Sequence, residues 1–281
     1  MTRQIIKNIF SDEERALYNT RNAKILNCTF VGEKDGESAL KESRDIQIKN
    51  THFCLRYPLW HVQKFSVETS IFTDTCRAPI WYSTSGKIVN TEISGVKAVR
   101  ECKNIKIQDC KINSTEFGWK SSNIKMQTTN IISEYLFFDS KNITLENVEM
   151  KGKYSFQYVK NLKITDSYLD TKDAFWHVKN ATIQNCVIKG EYLGWYSENL
   201  TFINCKIIGT QPLCYCKNLK LINCTMENCD LSFEYSDLQA DIIGHIDSVK
   251  NPISGTITAD SYGEIILNNS VYDCKAKITT R

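Results

Sequence analysis

The chain has 281 residues, 42% hydrophobic and 24% charged, with a formal net charge of +3, enough apolar content for one continuous core. No stretch approaches the roughly 18 apolar residues of a membrane span, and no Lys/Arg run is long enough to track a phosphate backbone, so neither membrane nor nucleic acid is expected as a partner. Twelve cysteines in a chain this long do not call for disulfide staples.

The N-terminal stretch "MTRQIIKNIFSDEERALYN" carries charges where a secretion signal needs an apolar run. Ser11 or Asp12 ahead of "EERAL" predicts a short capped helical turn. The chain then repeats itself. Asn104, Asn123, Asn142, Asn161, Asn180, Asn199 and Asn218 are nineteen residues apart, with Asp237 next in line. Backwards the series continues through Ser85, Lys64, Asp45, Asn22 and Arg3 at spacings of 19 to 23.

With these positions as slot 0, slots +1 and +3 are apolar and slots +2 and +4 mostly polar, as in Ile105, Lys106, Ile107 and Gln108. That is the alternation of a strand. Slot +8 is large and apolar throughout, from Phe30 to Met226. Each copy is too short for a strand, a crossover helix and a second strand. The expected fold is therefore all-β: a single-stranded right-handed parallel β-helix of about twelve coils. Each coil should rise about 4.8 Å. One domain spans 1–281, with regular coils over 1–236 and C-terminal coils and a cap over 237–281, where the rhythm changes.

Slot +5 is filled by residues such as Asn27, Asn50, Asp109 and Asn204. These tolerate the left-handed backbone of a tight corner, and their amides can bond from coil to coil. Cys28, Cys110, Cys186, Cys205 and Cys224 in slot +6, and Cys102 and Cys216 in slot −2, read as small interior fillers. Cys205 and Cys224 fall one coil apart, within geometric reach of a disulfide. Cys214, Cys216, Cys224 and Cys229 resemble a zinc set only superficially, because the ladder scatters them around the coil; no metal and no other cofactor is expected. The segment "EKDGESALKES" (33–43) is longer than its counterparts and is a candidate functional loop or a simple insertion.

Slot −5 is free of charge in every copy, which suits an interior, although strict alternation from slot −2 would bury slot −4 instead. Slot −4 holds all five tryptophans, Trp60, Trp81, Trp119, Trp176 and Trp195, together with Lys41. Slot −3 holds Glu42, His61, Tyr82, Tyr158, His177 and Tyr196. An exposed strip of this kind is a binding surface, and rings beside hydroxyls and carboxylates suit an oligo- or polysaccharide; core packing of the tryptophans is the alternative.

Arg100, Glu101, Lys120 and Asp139 lie on three successive coils and form the candidate catalytic cluster. Glu101 and Asp139 should stand roughly 9.6 Å apart, close to the spacing of inverting glycoside hydrolysis. Lys120 between them would keep both ionised, so a β-elimination with Lys or Arg as base fits better, and a surface ladder of ion pairs is the plain alternative. His61 and His177, six coils apart, share neither metal nor triad.

The motifs "CTF…DGESALKES" (28–43), "YPLW" (57–60), "RAPIWY" (77–82), "KDAFWHVKN" (172–180), "GEYLGWYSENLTFINC" (190–205) and "FEYSDLQADIIGHIDSVKNPISGTITADSYGEIIL" (233–267) resemble, in order and spacing, those of a mainly bacterial family, domain of unknown function 3737. The resemblance covers nearly the whole chain. It implies a right-handed β-helix similar to the pectate-lyase (pectin-lyase-like) class, and it implies no activity. No Asp cluster resembles the calcium site of that class. The expected function is a carbohydrate-binding or carbohydrate-processing β-helix, a lyase or hydrolase if it is an enzyme. A rigid non-enzymatic scaffold for a protein partner is the alternative. Sequons such as Asn142-Ile143-Thr144 and Asn199-Leu200-Thr201, placed inside the repeat, favour a cytoplasmic protein.

Overall fold

The computed structural model describes residues 2–32 and 37–281; the 33–36 part of the long loop lies outside them. The described residues form strands and turns without a helix. The fold is a right-handed parallel β-solenoid of about 14 turns of ~19 residues. Turns beyond the expected twelve come from 237–281, which keeps winding at intervals of 17 and 21 residues. The chain divides into two compact units, Met1–Ser140 and Lys141–Arg281.

In the first unit, strands Gln4–Lys7, Arg21–Leu26, Arg44–Lys49, Gln63–Glu68, Thr84–Val89 and Lys103–Gln108 pair in sequence. Ser122–Glu134 pairs next. Each is parallel to the one before, so slots +1 and +3 stack inward as Ala23, Ile46, Phe65 and Ile105, or Ile25, Ile48, Val67 and Ile107. A second wall, including Thr29–Val31, His52–Cys54 and Ile71–Phe72, turns slot +8 inward. Phe30, Phe53 and Phe72 stack there with ring centres 5.6 and 4.8 Å apart.

The second unit repeats the plan from Lys141–Lys153 through Lys160–Thr165, Lys179–Gln184, Glu198–Ile203 and Leu219–Glu227. Asp237–Ile242, Ser254–Ala259 and Lys277–Thr280 follow.

The corners explain the residues that strands would reject. Slots 0 and +5 are left-handed at non-glycine residues, for example Asn199 (φ 57) and Asn204 (φ 52), a conformation that costs L-residues roughly 1–2 kcal/mol. Side-chain amides offset that cost. Asn223, Asn204 and Asn185 each donate Nδ2 to the preceding coil's slot +5 oxygen, at 2.8, 3.2 and 3.0 Å. A second amide ladder, which the repeat did not advertise, runs down slot 0 through Asn218, Asn199, Asn180 and Asn161 at 2.7, 2.9 and 3.1 Å.

Slots −2 and +6 do more than fill space. Ser121 Oγ accepts from Cys102 N at 3.0 Å and donates to Val99 O at 2.6 Å. Ser197, and Ser236 one position later in a longer coil, accept from Val178 N and Cys216 N in the same way. In slot +6, Ser70 and Ser167 accept from Thr51 N and Val148 N at 3.1 and 3.0 Å. These hydroxyls occupy backbone donors that the corner would otherwise bury unpaired.

All twelve cysteines are free, Cys205 and Cys224 included. Burial pushes the thiols of Cys102, Cys214, Cys216 and Cys229 up to about 12. The stretch "EERAL" is not a helical turn. Arg15 and Asn19 are left-handed (φ 58 for both), so it is an ordinary corner, with Ser11 Oγ accepting from Glu13 N at 3.2 Å.

Two expectations follow. Asn199→Ala should destabilise the protein to urea by about 2 kcal/mol, from left-handed strain and lost ladder bonds. Asn199→Gly, which loses the bonds but not the backbone freedom, should cost about 1 kcal/mol less; an Ala variant as stable as the parent would remove the ladder from the energetics. A thiol reagent at neutral pH should titrate at most Cys54 and Cys274, the two half-buried cysteines, until denaturant is added.

Candidate functional site

The strip forms where the backbone stops behaving as a strand. Slots −7 and −3 are left-handed in coil after coil, and slot −5 joins them from Val99 onward: Lys97, Val99 and Glu101 at φ 60, 56 and 51, and Tyr154, Phe156 and Tyr158 at 58, 62 and 62. Left-handed residues break two-residue alternation. Slot −5 therefore points inward, buried at Leu40, Leu59, Ile80, Val99, Phe137, Phe175 and Leu213, while slots −4 and −3 both face outward in most coils. Gly118 in slot −5 is explained by its neighbour rather than by its φ: a Cβ there would lie 2.2 Å from the Phe137 ring.

The slot −4 side chains lie half-buried against the corner. The indole N–H of Trp119, Trp176 and Trp195 donates to the slot −7 carbonyl of the next coil: Tyr135 O at 2.7 Å, Tyr192 O at 2.6 Å and Gln211 O at 2.8 Å. Gln157 does the same to Asp173 O at 3.0 Å. A flat side chain with an N–H at its far edge thus closes the corner, which gives three of the five tryptophans a structural duty. Trp60 and Trp81 differ. Their indole nitrogens are buried without an acceptor, and the rings are held by stacking on each other at 5.4 Å and 12° and by Tyr57 at 5.6 and 5.4 Å.

In the first unit, Lys41 Nζ lies 3.8 Å over the Trp60 ring and Tyr82 stacks on Trp81 at 5.0 Å. His61 Nδ1 is 3.3 Å from Glu42 Oε1 and meets Tyr82 edge-on. In the second unit, Tyr158, His177, Tyr196 and Tyr215 form one stacked column, centres 4.8, 5.2 and 4.7 Å apart and planes within 18°. Trp176 and Trp195 stack beside it at 5.4 Å and 6°. Burial lowers the His177 pKa, keeping a neutral imidazole between two phenols. Burial, then the Glu234 carboxylate, raises the Tyr215 phenol.

Near-parallel rings at this separation cover one another's faces. The strip therefore shows solvent its ring edges, phenol hydroxyls and imidazole nitrogens, not a platform of open faces of the kind a sugar stacks on.

The candidate catalytic cluster is not assembled as its spacing suggested. Arg100 pairs with Glu101 at 3.5 Å and with Glu116 at 3.5 Å, and Lys97 reaches the same Glu116 at 3.3 Å. Arg100 also lies over Trp119, 5.3 Å from the ring centre. Lys120 and Asp139 are exposed and stand outside this network. Slot −7, which supplies Tyr57, Lys97, Glu116 and Tyr192, was missed in the sequence, although its own succession of tyrosines and opposite charges was a usable signal.

Among the described residues no three His, Cys, Asp or Glu side chains converge as a metal site. Two hollows lie on sheet faces, one over Lys220, Gln239 and Asp241 and one over Glu92, Lys111 and Ile132; the strip residues line neither.

Several solved structures share the architecture. The crystal structure of PfbA, a surface adhesin of Streptococcus pneumoniae, is similar with a TM-score of 0.52 at 10% identity, over 83% of this chain and 84% of that one. The A-module of the Azotobacter vinelandii mannuronan C-5 epimerase AlgE6 is similar with a TM-score of 0.41 at 10% identity, over 97% and 87%. A mannuronic acid specific polysaccharide family 6 lyase from human gut microbiota has a TM-score of 0.40 at 8% identity, over 97% and 85%. No curated protein matches the chain in sequence. The family described as "Protein of unknown function (DUF3737)" matches residues 4–279, and the chain belongs to that family.

Proposed function

We propose that the protein binds an extended saccharide along the slot −3 strip and performs no chemistry on it. One observation carries the reading: the column Tyr158, His177, Tyr196 and Tyr215, whose ring centres follow one another at 4.7 to 5.2 Å. That interval is close to the length of one pyranose residue in an extended chain. Ring edges carry the positive part of the aromatic quadrupole, so an edge-on column offers sugar oxygens both phenol O–H donors and weakly positive C–H edges. Glu42, His61, Tyr82 and Glu101 continue the same chemistry within the first unit.

Catalysis is disfavoured because Arg100 engages the Glu101 carboxylate in an ion pair at 3.5 Å, and Lys120 and Asp139 stand on the exposed surface outside that network. We also place the protein in the cytoplasm, because the sequon at Asn199 lies within the slot 0 ladder and a glycan there would break it.

The full chain should show saturable binding on a glycan array. Tyr196→Phe, which keeps the stacked ring and removes only the hydroxyl, should weaken it about three- to tenfold. Silence on every glycan, coupled with a stoichiometric protein partner in a pull-down, would replace this reading with a rigid docking scaffold.

A further inference from the structure

The outward slots of the first unit's main sheet hold a feature that the linear sequence disperses. Lys87, Lys106 and Lys125 are direct neighbours on three successive strands, all exposed. We propose that this lysine row is a second binding site, for a linear anionic polysaccharide.

Stacked like charges are destabilising across paired strands, and in several other rows a carboxylate stands against the lysine. Lys49 faces Glu68 at 3.2 Å, Lys179 faces Glu198 at 3.1 Å, and Lys151 and Lys189 flank Asp170. No carboxylate within the described residues pairs with Lys87, Lys106 or Lys125. The nearby acids are engaged otherwise, Glu68 with Lys49 and Asp109 with Gln108 Nε2 at 2.9 Å. A further row, Lys141, Lys160 and Lys179, ends on Glu198, whereas Lys87 is preceded in its row by Ser66. Lys103 stands beside the row on its own strand, which strengthens the field.

The geometry selects the class of polyanion. The row is straight, with one ammonium per coil at about 4.8 Å, so it matches a chain bearing one carboxylate or sulfate per sugar. Duplex DNA places its phosphates every 3.4 Å of axis per strand along a helical path, out of step with three lysines in line. The outward slots of these coils (Thr84, Ser85, Val89, Asn104, Gln108 and Ser122) carry no aromatic ring for base stacking, and no Arg fork for phosphate. The site shares no residue with the slot −3 strip, so either can fail alone.

The test uses the full chain, with dextran sulfate as probe, titrated at increasing salt beside uncharged dextran, duplex DNA and phosphatidylserine vesicles. Dextran sulfate should bind and uncharged dextran should not. Lys87→Gln/Lys106→Gln/Lys125→Gln should flatten the plot of log affinity against log salt by about three, and Lys106→Gln alone by about one. The control Lys151→Gln/Lys189→Gln/Lys277→Gln changes net charge equally and should leave the slope nearly unaltered. Equal effects of the two triple variants, or no binding of dextran sulfate, would overturn the site. Tighter binding of duplex DNA or of the vesicles would overturn its assignment to a polysaccharide. The row variant should melt no lower than the parent, since it removes repulsion.

Discussion

Every feature of this protein descends from one constraint: consecutive coils are hydrogen-bonded in parallel register, so each side chain sits on its own counterpart one repeat away. In a sheet of dissimilar strands a residue chooses its partner. Here it must tolerate a copy of itself, about 4.8 Å distant. Residues that gain from self-stacking recur in their slots: phenylalanines at slot +8, amides at slots 0 and +5, rings at slot −3. Residues that lose by it, the charged ones, are in several rows met by an opposite charge on the next coil, as Lys172 is by Glu191 and Lys206 by Glu227.

The same constraint sets how the corners are made. A nineteen-residue coil must turn sharply without glycine at most positions, and it does so with left-handed residues as unfavourable as Val99 and Phe137. Each such residue costs stability on its own. Side chains that serve the bent backbone offset that cost: serines accept buried N–H groups at slot −2, and Trp119, Trp176 and Trp195 donate to corner carbonyls. The aromatic row is thus part of the scaffold before it is anything else, and its outer edge is what remains for recognition.

Because stacking hides ring faces, the strip can recognise a ligand through hydroxyls, imidazole nitrogens and ring edges, a weaker contact that gains strength only by repetition along an extended ligand. Stacked coils within one unit present such repetition with little loss of conformational freedom on binding. Where like charges stack without a closing carboxylate, at Lys87, Lys106 and Lys125, repetition becomes electrostatic, and the charge density of one face exceeds what a net charge of +3 suggests.

The period, the solenoid, the inward slots +1, +3 and +8 and the family were legible from residue order alone, because hydrophobic spacing and the Asn/Asp positions reflect local backbone requirements that hold in any context. Residue order did not disclose which way slots −4 and −3 face, since nothing in Phe137 or Tyr158 announces a left-handed backbone. Nor did it disclose that Trp119 closes a corner, that Glu116 joins Arg100, or that three lysines nineteen residues apart form a row. Those outcomes belong to the tertiary structure. They depend on the rise and register that bring one coil onto the next, and on the side-chain directions set by corner dihedrals that residue identity alone leaves open.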